Sequence, residues 1–401
     1  MIKRRAVNVL IIPDKFKSTL TASASADAIA RGWHKSRPHD SVVLLPMSDG
    51  GDGFGEVLGK LLGAKIQKVK TVDAAHRPCQ AHWWWEPKSK TAVIESANVI
   101  GLAKLPPGKF HPFELDTFGL AAVIRAAVVR RARRCVIGIG GSATNDGGFG
   151  LARALGWKFW DRDGELIERW QSLDRLARIS QPKRARWFKE LIVAMDVQNP
   201  LLGVRGATRV YGPQKGLCEE DFAKAERSLR KLADTVKQLV VPASAGLGRL
   251  KAELQTRPGA GAAGGLGFGL MAFFGAKAKP GFQLFARFAK LEKHLRAADL
   301  VITGEGCIDE STFMGKGVGE IARRCRKARI PCIAFAGNIT ARETAGRFFE
   351  EAHALIDLTT TAKAKAEPAM WLERLAERTA RELTASKSEC GSVGRSNVRC
   401  P

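Results

Sequence analysis

Residues 134–150 read R-C-V-I-G-I-G-G-S-A-T-N-D-G-G-F-G, and the reading of this stretch decides the fold class. An apolar run over 135–139 breaks into small and polar residues, and a second apolar stretch with helical character follows over 151–155. That pattern predicts a strand, a loop and the start of a helix. Glycines at 138, 140, 141, 147 and 148 permit tight bends and a close approach of backbone N–H groups to a ligand. Ser142, Thr144, Asn145 and Asp146 add hydroxyl, amide and carboxylate groups, so the loop suits a small, oxygen-rich anion.

The same grammar recurs outward along the chain. Residues 6–12 predict a buried strand that delivers P-D-K-F-K-S-T-L (13–20) at its carboxyl end, with Thr21 or Ser23 capping a helix over 24–33. A second strand at 41–46 ends in S-D-G-G-D-G (48–53). Strands that empty into carboxylate-bearing loops ahead of helices predict an open α/β sheet with ligands beyond the strands' carboxyl ends. Asp14 and Asp49 also suit helix capping or turns, and sequence leaves both uses open.

Residues 64–96 alternate as short strands, and Trp83, Trp84 and Trp85 predict core packing there. An Ala- and Val-rich helix is expected over 117–133, and a hairpin over 157–167 with Asp163-Gly164 at its turn. A strand at 191–194 leads to Asp196, and Y-G-P-Q-K-G (211–216) predicts a tight turn that exposes Gln214 and Lys215. After an amphipathic helix at 219–240 comes P-G-A-G-A-A-G-G-L-G-F-G (258–269), either an anion loop or a close packing surface. Strands are expected at 298–303, entering G-E-G-C-I-D-E-S-T (304–312), and at 330–336; a closing helix spans 370–383, and the polar, basic residues 386–401 read as a disordered tail.

Length and composition fit a two-domain protein: 401 residues, of which 45% are hydrophobic. The formal net charge of +25 raises acidic partners. Its clusters at 130–134, 183–186 and 323–327 lack interleaved aromatics, which argues for solvated basic faces and against a nucleic-acid groove. Eight cysteines show no CxxC pair and no metal-ligand spacing, which fits free thiols in a reducing cytoplasm. The short apolar run near the start contains Asn8 and reads as a strand, not a signal peptide, and no stretch approaches the ~18 apolar residues of a membrane span.

Gly138-x-Gly140-x-x-Ala143 matches a dinucleotide fingerprint in letters, but Asn145-Asp146-Gly147-Gly148 delays the helix, which disfavours a nicotinamide oxidoreductase. No Walker A sequence exists: Glu310 stands where glycine is needed and Gly317 where Ser or Thr follows the lysine. What remains is a set of strand-end loops bearing carboxylates (Asp14, Asp49, Asp146, Asp196, Glu305, Asp309), lysines (Lys17, Lys215, Lys316) and glycine amides. This set suits phosphoryl transfer, in which carboxylates hold magnesium or accept a hydroxyl proton while lysines and amides steady the moving charge.

Seven blocks then carry a specific resemblance: P-D-K-F-K-S-T-L, P-M-S-D-G-G-D-G (46–53), G-G-S-A-T-N-D-G-G (140–148), D-V-Q-N-P-L-L-G (196–203), G-P-Q-K-G (212–216), G-A-G-A-A-G-G-L-G (259–267) and D-L-V-I-T-G-E-G (299–306). In this order they resemble the bacterial glycerate kinase type-1 family, up to about residue 384. The resemblance implies ATP-dependent phosphorylation of D-glycerate, at the 2-hydroxyl, with Mg2+ as cofactor. It also implies a two-domain α/β architecture: a flavodoxin-like domain from residues 1–68 and 290–385 and an inserted domain of restriction-endonuclease-like fold over 69–289, with the active site in the cleft between them.

The family pattern departs at Lys15 and Ser18 (P-D-S-F-K-G in relatives), at Ser48 and Asp52 (A-D-G-G-E-G), and at Cys307, where an arginine is expected. The resulting assignment makes Asp196 or Asp309 the proton acceptor. It counts Lys17 with them as a catalytic group that contacts substrate or phosphate, gives Asp14, Ser142, Asn145, Asp146, Lys215 and Lys316 to substrate or phosphate and Gly140, Gly141, Gly264, Gly265 and Glu305 to nucleotide, and has Asp49, or else Asp14, position Mg2+. The expected partners are glycerate and ATP, with no nucleic acid or membrane, for a monomer or homodimer. The competing readings are a 3-phosphoglycerate product or an inactive metabolite-binding paralogue.

Overall fold

The computed structural model describes residues 6–16, 19–239, 253–315 and 317–389. Lys17, Ser18, Lys316, residue 240 and residues 390–401 lie outside them. The fold is mixed α/β with parallel sheets, and the chain divides into two compact units, 1–48 with 289–401 and 49–288. The first crossing thus falls ahead of residue 68, and the helix Phe54–Leu62 belongs to the inner unit. No helix among the described residues is long and apolar enough to cross a membrane.

The outer unit is built on a five-stranded sheet in which every neighbouring pair is parallel. Across the sheet the strands run Ser41–Leu44, Asn8–Pro13, Leu300–Ile308, Cys332–Ile339 and Glu351–Ala354, which is the order 2-1-3-4-5 within this unit. Asn8–Pro13 sits inside the sheet and is buried from Val9 onward, as a continuous apolar run requires. Thr21 caps the helix Ala22–Ser36 by accepting from Ala24 N at 3.1 Å. Its buried residues Ala26, Ala28, Ile29 and Trp33 share one core cluster with Leu372, Leu375 and Ala376 of the helix Pro368–Glu389. A Cβ at Gly32 would stand 2.0 Å from Glu373 O, so these helices meet backbone to backbone.

That closing helix includes residues 386–389, the first four of the stretch expected to be a tail.

The inner unit holds a six-stranded sheet in the order Lys277–Lys279, Glu190–Ala194, Arg134–Gly138, Thr91–Glu95, Pro78–Glu86 and Lys65–Val72. The first four strands are mutually parallel; the last two pair antiparallel. Strand alternation sends Trp83 into the large core with Ile94, Ile137 and Phe149, and Trp84 to the other face with Phe54, Leu58 and Val136. A Cβ at Gly55 or Gly59 would meet the Trp84 ring at 2.0 or 2.4 Å, which explains two glycines inside the helix Phe54–Leu62.

The hairpin expected at 157–167 forms as a short pairing. Asp163-Gly164 turns the chain, with Asp161 Oδ1 accepting from Asp163 N and Glu165 N, and the two arms are joined by Asp161 N donating to Glu165 O at 3.0 Å, Ile167 N donating to Phe159 O at 2.8 Å and a Trp160/Leu166 bridge. Lys158–Asp161 takes Leu176–Ser180 as its ladder partner.

Candidate active site

Three parallel strands of the inner unit end at one level, because Glu95 lies opposite Gly138 and Gly138 opposite Ala194. Their loops therefore emerge side by side, where an open parallel sheet collects ligands. The turn at 49–53 joins them: Gly140 N donates to Gly50 O at 3.3 Å, and Gly51 Cα lies 2.5 Å from where a Cβ on Gly140 would stand.

Asp196 follows the strand Glu190–Ala194. Its Oδ1 accepts from Gly281 N at 3.0 Å and Phe282 N at 3.4 Å, at the start of the helix Gly281–Phe288. Its Oδ2 is buried and has no hydrogen-bond partner. Burial first, and then the charge of neighbouring Asp49, raise the Asp196 pKa to about 8, since both disfavour the ionised form. Asp49 Oδ1 accepts from Gly51 N at 3.2 Å within its own turn. An acidic pair with one member held partly protonated near neutrality is equipped either to take up a proton or to hold a cation.

The loop at 140–148 divides into lining and anchor. Gly141 is exposed and Gly140 half-buried, whereas Ser142, Thr144, Asn145 and Asp146 are buried. Ser142 Oγ and Thr144 Oγ1 lie 2.9 Å apart, and Asn145 Nδ2 donates to Thr208 Oγ1 at 3.1 Å while Oδ1 has no partner. Asp146 is the anchor. Its Oδ2 accepts from Thr117 N (3.0 Å), Thr117 Oγ1 (2.7 Å) and Gly150 N (2.8 Å), and its Oδ1 from Gly148 N (3.2 Å). Burial and the charge of Asp116 still raise its pKa to about 6.

Lys215 corrects an expectation. The turn exposes Gln214 but buries Lys215, whose Nζ donates to Thr144 O at 2.6 Å. Gly216, at φ 103°, closes the 3-10 turn Pro213–Lys215, whose lysine lies inside the unit. Burial lowers the lysine pKa to about 7, opposed by the charge of Asp146.

The glycine belt resolves toward packing. A Cβ at Gly264 would stand 1.9 Å from Thr144 O and one at Gly265 2.8 Å from Gly147 Cα, while Gly147 N donates to Gly264 O at 3.0 Å. Both glycines have positive φ, 65° and 87°, and they support the loop from behind.

In the outer unit, Asp14 and Asp309 follow strand ends, whereas Glu305 lies inside the strand Leu300–Ile308, which runs past the expected 298–303 and pairs Glu305 with Ala336. Asp14 N donates to Gly304 O at 2.8 Å, which sets Asp14 beside the middle of Leu300–Ile308, and Asp14 Oδ1 accepts from Lys15 N at 2.7 Å. Glu305 Oε1 accepts from Thr312 Oγ1 at 2.8 Å. Asp309 caps the short turn Glu310–Phe313, accepting from the Ser311 hydroxyl and from Thr312 N. Cys307 is exposed between them.

Sequence reasoning missed Glu95, Thr117 and Thr208. Glu95 is buried and accepts from Gly53 N at 2.8 Å and Gly55 N at 3.0 Å, so it fixes the turn that carries Asp49. A carboxylate closing the apolar run T-A-V-I-E was the available signal; Thr117 and Thr208 offered none.

Sheets built largely of parallel strands whose ends carry acidic and glycine-rich turns, in a sequence without a Walker A loop, fit a mixed α/β phosphotransferase outside the P-loop architecture. The Glycerate kinase family profile matches residues 9–384, and the chain belongs to that family. It is 37% identical over 335 residues to the glycerate kinase of Halalkalibacterium halodurans, covering 82% of this chain and 85% of that one. It is 36% identical over 340 residues to the glycerate 2-kinase of Escherichia coli, covering 83% and 86%. A crystal structure from Salmonella typhimurium LT2, provisionally named glycerate kinase 2, superposes with a TM-score of 0.78 at 31% identity, covering 96% of this chain and all of the other.

Proposed function

We propose that the protein transfers the γ-phosphoryl group of ATP to the 2-hydroxyl of D-glycerate, giving 2-phosphoglycerate, in cytoplasmic organic-acid catabolism. The observation that carries this reading is the Asp49–Asp196 pair at the strand ends, with Asp196 Oδ2 buried and unpartnered. The Escherichia coli relative's name supports the 2-position. The strand order 2-1-3-4-5 supports a flavodoxin-like outer unit, and we assign the inner unit to the restriction-endonuclease-like fold of the resemblance.

In this reading Asp196 accepts the glycerate hydroxyl proton. Its raised pKa makes it a stronger base than an ordinary carboxylate, while leaving a useful ionised fraction near neutral pH. Asp309, whose carboxylate caps a turn, is the weaker candidate. Mg2+ is commonly held through one or two carboxylates together with water and substrate phosphates. Asp49, half-buried in its turn, fits that demand as a single carboxylate ligand and leaves Asp196 Oδ2 for the proton, and no cluster of three or more acidic, His or Cys ligands occurs among the described residues. When bound there, the ion would neutralise phosphate charge. Ser142 and Asn145 line the phosphate path beside the exposed Gly141, with Asp146, Lys215, Gly264 and Gly265 holding that loop in shape. Asp14 and Glu305 of the outer unit serve phosphate and nucleotide, as do Lys17 and Lys316.

Glycerate-dependent ADP release by the purified chain, with and without Asp196→Asn or Asp309→Asn, tests the reading. Unchanged turnover in both variants removes the assignment.

A further inference from the structure

The segment that leaves the strand Thr91–Glu95 carries two polar groups that the roles above do not use. Ser96 is fully buried and its Oγ has no partner; Asn98 Nδ2 is likewise buried and unpartnered. Ser96 stands at the cap position of the short helix Ala97–Ile100, yet its backbone is helical (φ −62°, ψ −30°) and its hydroxyl makes no capping bond. The ordinary structural use of a serine at that position is therefore not made.

Leaving a buried hydroxyl or amide N–H unsatisfied forfeits its hydration without replacement, a cost that calls for an explanation. The segment is fixed in place. Ser96 N donates to Gly138 O at 2.9 Å, Leu102 N to Gly141 O at 2.9 Å, and Ala143 N to Ile100 O at 2.8 Å, so it is clasped along the anion loop. Asn145 Oδ1 and Asp196 Oδ2, the unpartnered oxygens described above, belong to the neighbouring strand-end loops.

We propose that Ser96 and Asn98 donate hydrogen bonds to the carboxylate of the acceptor substrate, a small 2-hydroxy acid, and so set specificity for that class. This rests on the glycerate kinase reading given above. A carboxylate is repelled by the Asp49–Asp196 pair and satisfied by O–H and N–H donors. The donor segment and the acidic pair thus divide the two ends of a hydroxy acid between them: one holds the carboxylate, the other receives the hydroxyl.

Steady-state kinetics of Ser96→Ala, Asn98→Ala and Asn98→Asp test the proposal, with glycerate varied at saturating ATP and ATP varied at saturating glycerate. Each variant is expected to raise the glycerate KM about tenfold or more, Asn98→Asp the most, with the ATP KM unchanged and kcat within about threefold of wild type. A glycerate KM unmoved in both alanine variants overturns the proposal, and so does an ATP KM that rises in step with it. Wild-type protein without glycerate-dependent ADP release would instead overturn the parent reading.

Discussion

Replacing Lys215 by methionine should remove a pH dependence that the wild-type protein carries. The buried Nζ donates to Thr144 O, and its pKa of about 7 lies well below the ordinary 10.5. Between those values the unfolded chain holds a proton that the folded chain has released, so stability rises with pH through the window. Below about pH 7 the folded lysine is charged and the full burial penalty, roughly 5 kcal/mol, is present. Integrated from pH 7 to pH 9, wild type should gain roughly 2 kcal/mol relative to Lys215→Met. The lost bond to Thr144 adds an offset that does not vary with pH. Asp146, at about 6, is ionised in both states over this range, and Asp196 titrates alike in both proteins, so both cancel in the difference. Urea unfolding of the two proteins at pH 7, 8 and 9 reads the effect directly. Parallel pH profiles would refute the charge-burial argument.

Asp196→Asn should lower kcat at least about a hundredfold while leaving the fold intact, measured by ADP release and circular dichroism. Because burial and Asp49 hold the folded Asp196 pKa near 8, above its unfolded value, this carboxyl lowers stability as pH climbs from about 4 to 8. Asp196→Asn should therefore unfold at a higher temperature than wild type at pH 8 and above, and a lower midpoint there contradicts the pair. Gly264→Ala, which combines positive φ with a clash on Thr144 O, should cost about 2–5 kcal/mol in urea unfolding; a cost under about 1 kcal/mol would mean the belt does not support the loop. Gly32→Ala should cost about 1–3 kcal/mol by separating the helices Ala22–Ser36 and Pro368–Glu389, which thermal unfolding checks.

Much of the candidate site was legible because acidic and glycine residues follow apolar runs, and strand ends are where a parallel sheet presents loops. Asp49, Asp196 and the 140–148 loop are found in this way. Lys215 was misread because a turn motif specifies backbone shape but not which face of the turn meets the core. Asp146 and Gly264 resemble ligand groups in sequence, and only the four donors around Asp146 and the close approach at Gly264 show what they hold together. Glu95 and Thr117 act across long sequence separations on Gly53, Gly55 and Asp146, which local pattern does not encode.

The most direct test of the acidic pair at the strand ends is phosphorus NMR of a reaction containing the purified protein, ATP, Mg2+ and D-glycerate. The account predicts 2-phosphoglycerate and ADP with wild type and almost none with Asp196→Asn. A spectrum without any phosphoglycerate from wild type, or equal product from the Asp196→Asn variant, contradicts it.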